Sequence, residues 1–221
     1  MAITLHHCHQ ARSMRSFWLM NEIGLDFSVV VHEFGKGLRA PSYLATHPLG
    51  RVPCLIDGDV VLFESGAICE HLCEQYDPGL LWRWPGHVDR PAWLNWLHYA
   101  ETVAVLCATL TQQHIVIRNP ADRSPLVIKL ETLRLGKALG VVERALEGQP
   151  YLLSGGFSAV DTAIGYSVYV ARHFVDLDPF PNLAAYLGRI EGRAAFRAAL
   201  PPEGAARIYA RPFYAGYEPS G

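Results

Sequence analysis

Apolar positions along this chain change period once, and the change divides it in two. In the first part the runs are short. Ile3 and Leu5 alternate with polar neighbours in ITLHHC, the period-two signature of a strand. Met14, Phe17, Trp18 and Met20 then recur at helical spacing and end at Gly24. DFSVVVHEF, rich in Val and Phe, predicts a second strand, and the intervening helix makes the pair a crossover that favours parallel neighbours. After the turn-rich GKGLRAPS, with room for a short helix, CLI and VVLFE read as strands joined through Asp57-Gly58-Asp59. That hairpin signal makes them antiparallel. ESGAICEHLCEQY places Ala67, Ile68 and Leu72 along a helix halted by Asp77-Pro78-Gly79. The predicted order is βαβ, a short helix, then ββα.

Segment 80–90, with two tryptophans, a proline and a glycine but no period, predicts a linker. Beyond it the period is helical in four stretches: AWLNWLHYAETVAVLCATLTQQHIVI, SPLVIKLETLRLGKALGVVERALEG, SAVDTAIGYSVYVARHF and NLAAYLGRIEGR. The fold class expected is therefore α/β plus all-α, with one domain over 1–79 and an all-helical one over 91–221. The Pro/Gly-rich tail from Pro201 reads as an irregular surface strap.

Composition narrows the function classes. With 50% hydrophobic and 18% charged residues the chain is expected to be globular. A formal net charge of -2 leaves no basic stripe, which argues against nucleic acid or an anionic membrane as the main partner. The longest apolar stretch, from Val103, is broken by Thr and Gln, and MAITLHH lacks a cationic leader, so neither a membrane span nor export is expected. The five cysteines, four of them in apolar runs, suit a reduced cytoplasmic protein.

Three short motifs carry candidate chemistry. HHCHQARS, residues 6–13, gathers three histidines and a cysteine, but His6 and His7 point to opposite faces of a strand and no CxxC or HxxxH accompanies them. No metal site is expected. GRVPCL sets Pro53 directly before a strand; a cis bond would turn the main chain of Val52 outward to pair with an extended peptide, and an ordinary strand-entry proline is the alternative. FESGAI sets Glu64 and Ser65 at a helix start, where a ligand carboxylate could meet Ser65 and the dipole while Glu64 takes an ammonium; simple capping is the alternative.

Taken together, HPLGRVPCLIDGDVVLFESGAICEHL, WLHYAE at 96–101, FSAVDTAIGY at 157–166 and PNLAAYLGRIEGRAAF at 181–196 resemble the cytosolic, bacterial-type glutathione S-transferase family over almost the whole chain. The resemblance implies a thioredoxin-like domain followed by an all-helical one, with glutathione as co-substrate and no metal. It implies that Pro53 is cis, that Val52 pairs its backbone with the cysteinyl part of glutathione, and that Glu64 and Ser65 hold the γ-glutamyl end. Arg51 would reach the tripeptide, and Glu101 would cross a homodimer interface toward the γ-glutamyl amine. Ser158 and Asp161 form the Ser-x-x-Asp capping box with which the family starts a central helix, with Thr162 where it usually has an apolar staple.

HHCHQARS then becomes the turn where such enzymes activate the glutathione thiol. It contains no tyrosine, so Ser13 is the hydroxyl candidate and Arg12 a source of positive charge, with helix capping by Ser13 as the alternative. Cys8 lies too far back to match the cysteine of thiol-transferring members, and Cys69 and Cys73 fit the core or a dimer face. The implied activity is attack of the thiolate on a small apolar electrophile. Its pocket would draw on residues 9–13, the helix around Trp96 to Ala108, Tyr166, Tyr169 and the tail from Phe213 to Tyr217. Glutathione-dependent reduction or peroxidase chemistry, ether cleavage, and a non-catalytic glutathione- or protein-binding role are the alternatives.

Overall fold

The computed structural model describes residues 3–216 and resolves into two compact units. The first comprises Met1–His87 with Glu191–Ile208, and the second Val88–Ile190 with Tyr209–Gly221.

The first unit is built on a four-stranded mixed sheet in the order β2-β1-β3-β4, from β1 (Ile3–His7), β2 (Ser28–Val31), β3 (Cys54–Asp57) and β4 (Val60–Leu62). β1 runs parallel to β2 and antiparallel to β3, and β3 pairs antiparallel with β4 through a turn at Gly58-Asp59. The element order is the one the periods predict, and the arrangement is the thioredoxin-like one that the family resemblance implies. Ile3, Leu5 and His7 form the buried face of β1, as alternation requires. Helix α1 (Met14–Ile23) ends where Gly24 takes the left-handed conformation at φ 80, which costs glycine nothing. Short α2 (Pro41–Leu44) precedes β3, and α3 (Ser65–Tyr76) follows β4.

Two expected strands come out shorter. DFSVVVHEF yields only Ser28–Val31, and VVLFE yields Val60–Leu62 because Phe63 and Glu64 leave the ladder to start α3. Residues 191–208 return to the first unit with a short helix, α8 (Ala194–Ala198). Phe196 meets Trp18 edge-on with ring centroids 5.0 Å apart, and Arg193 grips Glu22 at 2.6 and 2.8 Å. No local pattern announces that return, since the partners stand 171 residues apart.

The second unit contains α4 (Arg90–Thr111), α5 (Pro125–Ala145), α6 (Ala159–Ala171) and α7 (Pro181–Glu191, whose last residue falls in the first unit). α4 packs against α5 and α6, and all thirteen residues of α6 are buried, so this helix is enclosed on every face. Both bonds of the Ser158/Asp161 capping box are present at its start. Thr162, at the staple position, instead turns its hydroxyl to the Ala159 carbonyl at 2.8 Å. α4 does not run on through QQHIV as the period suggested; Gln112–Val116 form a π-turn. Among the described residues no helix is long and apolar enough to cross a membrane.

Candidate functional site

One end of the first unit's sheet collects three of the singled-out segments. In the β1/β3 register His6 stands opposite Cys54, so the loop leaving β1 and residues 51–53 entering β3 are neighbours. A guanidinium nitrogen of Arg15, in the first turn of α1, donates to the Ser65 hydroxyl at 3.2 Å, which brings the start of α3 to the start of α1.

The loop from Cys8 to Ser13 is a tight turn. Ala11 N donates to the Cys8 carbonyl at 3.0 Å and Met14 N to the Ala11 carbonyl at 2.9 Å, while Gln10 takes φ 60, a left-handed conformation rare outside glycine. The Ser13 hydroxyl is fully buried: it accepts from Cys8 N at 3.1 Å, lies 2.9 Å from His7 Nδ1 and 3.4 Å from the Cys8 carbonyl. Ser13 makes no side-chain bond to the α1 N-terminus, so the capping alternative does not hold. Its hydroxyl faces the loop interior. Burial, with a smaller push from His9, lowers His7 to about 3 and keeps its imidazole neutral. Burial also raises the Cys8 thiol to about 11, which removes its thiolate at neutral pH. Arg12 is half-buried in the same loop.

Before β3, the Val52–Pro53 bond is cis. Val52 stands outside the paired register and packs against Leu38, Tyr43 and Cys54, while Arg51 is exposed. Gly50 is required here: at φ +57 an added Cβ would stand 2.4 Å from the Leu38 carbonyl oxygen. The Tyr43 hydroxyl donates to the Arg51 carbonyl at 2.5 Å.

At α3, Glu64 is the exposed N-cap residue and makes no side-chain cap bond, and Ser65 is the first helical residue, buried against Arg15. No acidic side chain occupies the first turn. Backbone N–H groups, a helix dipole, a hydroxyl and a guanidinium therefore converge where a carboxylate would be stabilised. Glu64, beside them, suits an ammonium.

The remaining candidates lie in the second unit. Glu101 is half-buried on α4, Trp96 is buried on the same helix, and Tyr166 and Tyr169 are buried on α6. Phe213 is 44% exposed, and Tyr217 lies outside the described residues. Among the described residues no three His, Cys, Asp or Glu side chains converge as metal ligands; His6 Nδ1 pairs instead with His32 Nε2 at 2.9 Å.

Arg15 and Tyr43 were missed by pattern reading. A signal for Arg15 was available: a cation in a first helical turn opposes the dipole and calls for an anionic neighbour. Tyr43 gave none, because its partner is a main-chain carbonyl.

Known proteins bear on this geometry. Residues 1–74 match the family model for the glutathione S-transferase N-terminal domain. Glutathione S-transferase F10 of Arabidopsis thaliana is 30% identical over 211 residues, 89% of this chain and 95% of that protein. A glutathione S-transferase-like protein of Beauveria bassiana, OpS6, is 31% identical over 81% of this chain and 85% of its own. Among solved structures, the theta class glutathione S-transferase of Xanthomonas axonopodis pv. citri, which has glutathione bound, superposes with a TM-score of 0.80 at 27% identity, over 93% of this chain and 98% of that one. With its sheet, its helical unit and relatives that align over most of both chains, the chain belongs to the cytosolic glutathione S-transferase family.

Proposed function

We propose that this chain binds glutathione in its first unit and activates the thiol for attack on a small apolar electrophile in the cytoplasm. The observation that carries the reading is the start of α3, where Ser65 and Arg15 meet 3.2 Å apart at a helix end that no side chain caps. The γ-glutamyl carboxylate binds there and Glu64 takes the ammonium. Val52, outside the ladder beside Pro53, pairs main chain to main chain with the cysteinyl residue, and Arg51 reaches the glycyl end. This route brings the thiol to the Cys8–Ser13 loop.

Thiolate is favoured there by the α1 N-terminus, whose first turn holds no acidic residue, and by Arg12. Ser13 serves catalysis by holding the loop through His7 and Cys8. A homodimer is supported by α5, which exposes Leu126 (64%), Leu130 (41%) and Leu133 (57%) along one face. Within it Glu101 reaches the partner's ligand.

The buried Ser13 hydroxyl also favours a second reading, in which glutathione is bound without activation. Calorimetric titration with glutathione, combined with the ultraviolet absorbance of the bound thiolate across pH, separates the two. A bound thiol pKa well below that of the unbound tripeptide supports the transferase; binding without that shift supports the second reading. No binding would sink both.

A further inference from the structure

The peptide unit linking Arg51 to Val52 is planar, so its carbonyl and its N–H point in opposite directions and turn together. Whatever holds the carbonyl also aims the N–H. In this chain the holder is the Tyr43 hydroxyl, which donates to the Arg51 carbonyl. Tyr43 is 3% exposed and packs at a tilt against two imidazoles: its ring centroid lies 4.2 Å from that of His32 and 5.1 Å from that of His6. The two imidazoles are themselves joined, His6 Nδ1 to His32 Nε2 at 2.9 Å, and Leu38, Cys54 and Val52 complete the surround. A phenol held on three sides by β1, the end of β2 and the start of β3 has one position to offer its proton.

We infer that Tyr43 is a positioning residue for peptide recognition, orienting the Arg51–Val52 peptide through its carbonyl and strengthening the Val52 N–H as a donor to the ligand's main chain. The strengthening has a simple electrostatic origin. A hydrogen bond accepted by an amide oxygen draws electron density from its nitrogen, so the N–H becomes a better donor, by roughly 10–30% per bond in condensed phase. Tyr43 itself never touches the ligand. It acts on the middle of the tripeptide, whereas Ser65 and Arg15 act on its γ-glutamyl end. This inference rests on the proposed glutathione site.

The test compares Tyr43→Phe with the wild type. The substitution deletes one oxygen and keeps the ring between His6 and His32. Calorimetry should show the Kd for glutathione raised about five-fold, within the range of a single hydrogen bond. With a chlorodinitrobenzene as electrophile, KM for glutathione should rise by a similar factor while kcat holds. In the ligand-less protein the Val52 amide resonance should move upfield in both dimensions, a signature that packing loss elsewhere would not give. If wild-type protein binds no glutathione, the proposed function fails and this inference with it. If wild type binds and the variant binds equally well, or if the Val52 resonance stays in place, only the role of Tyr43 is overturned. A variant that does not fold assigns Tyr43 to the core and overturns it too.

Discussion

Two helices in this molecule start in opposite ways. α6 begins closed: Asp161 accepts from the Ser158 backbone at 2.8 Å, from Leu152 N at 3.3 Å and from the Tyr186 hydroxyl at 2.9 Å, all of it buried. α3 begins open: its N-cap residue Glu64 makes no side-chain cap bond, and the hydroxyl of Ser65, the first helical residue, is engaged by a cation. In the first case the orphan N–H groups of the helix are spent on stability, and in the second they stay open to the ligand anion of the proposed function. The same local chemistry thus becomes a structural rivet or a binding site according to whether an acid stands three residues into the helix.

The sharpest way to break this contrast is Asp161→Ala. It strands the Tyr186 hydroxyl and the Ser158 and Leu152 amides in a dry interior, and should cost about 3 kcal/mol or more in chemical denaturation. A loss below about 1 kcal/mol would show that α6 does not depend on its cap. Next, Gly50→Ala forces a left-handed alanine against the Leu38 carbonyl and should destabilise the first unit by about 2 kcal/mol, with glutathione affinity falling alongside. An unchanged unfolding midpoint would contradict the close approach.

Smaller changes sharpen the comparison. Ser65→Ala should weaken glutathione binding roughly tenfold while moving stability by less than about 0.5 kcal/mol. Ser158→Ala should do the reverse, costing about 1 kcal/mol of stability and leaving affinity alone. Equal stability losses in the two variants would erase the distinction between open and closed starts.

Proton linkage adds a pair of opposed pH dependences. Burial raises the Asp161 carboxyl from 3.8 to about 6, so the native state holds a proton that the unfolded chain releases, and stability from this group falls as pH rises from about 4 to 6. Burial lowers His7 from 6.5 to about 3, so the native state refuses a proton that the unfolded chain takes up; its stability is full above about 6.5 and is lost as pH falls toward 3. Each slope is bounded by about 1.4 kcal/mol per pH unit. Denaturation curves of Asp161→Asn and His7→Gln across this range should each flatten one slope, and a variant that tracks the wild type would refute the assignment.

Much of the fold was legible because its signals are local. The Asp57-Gly58-Asp59 hairpin, the Gly24 stop and the Ser158/Asp161 box each lie within a few residues of the partner they specify. The same holds for Ser65, whose position at a helix start is a matter of sequence spacing. What pattern could not reach were bonds across the fold. Arg15 meets Ser65 across 50 residues, His6 meets His32 across 26, and Arg193 meets Glu22 across 171. Ser13 illustrates the limit from the other side: its place in the loop was read from sequence, but the direction of its hydroxyl depends on His7 Nδ1 and the Cys8 amide.

All five cysteines are buried, and burial raises the thiols of Cys8 and Cys54, while a hydrogen bond that the Cys73 thiol donates to Cys69, together with burial, raises Cys73. A protein that handles glutathione, as proposed, meets a standing risk of mixed disulfides on its own surface. This chain offers such chemistry no reactive handle of its own, so under the proposed function the sulfur that ionises at its surface is one it borrows.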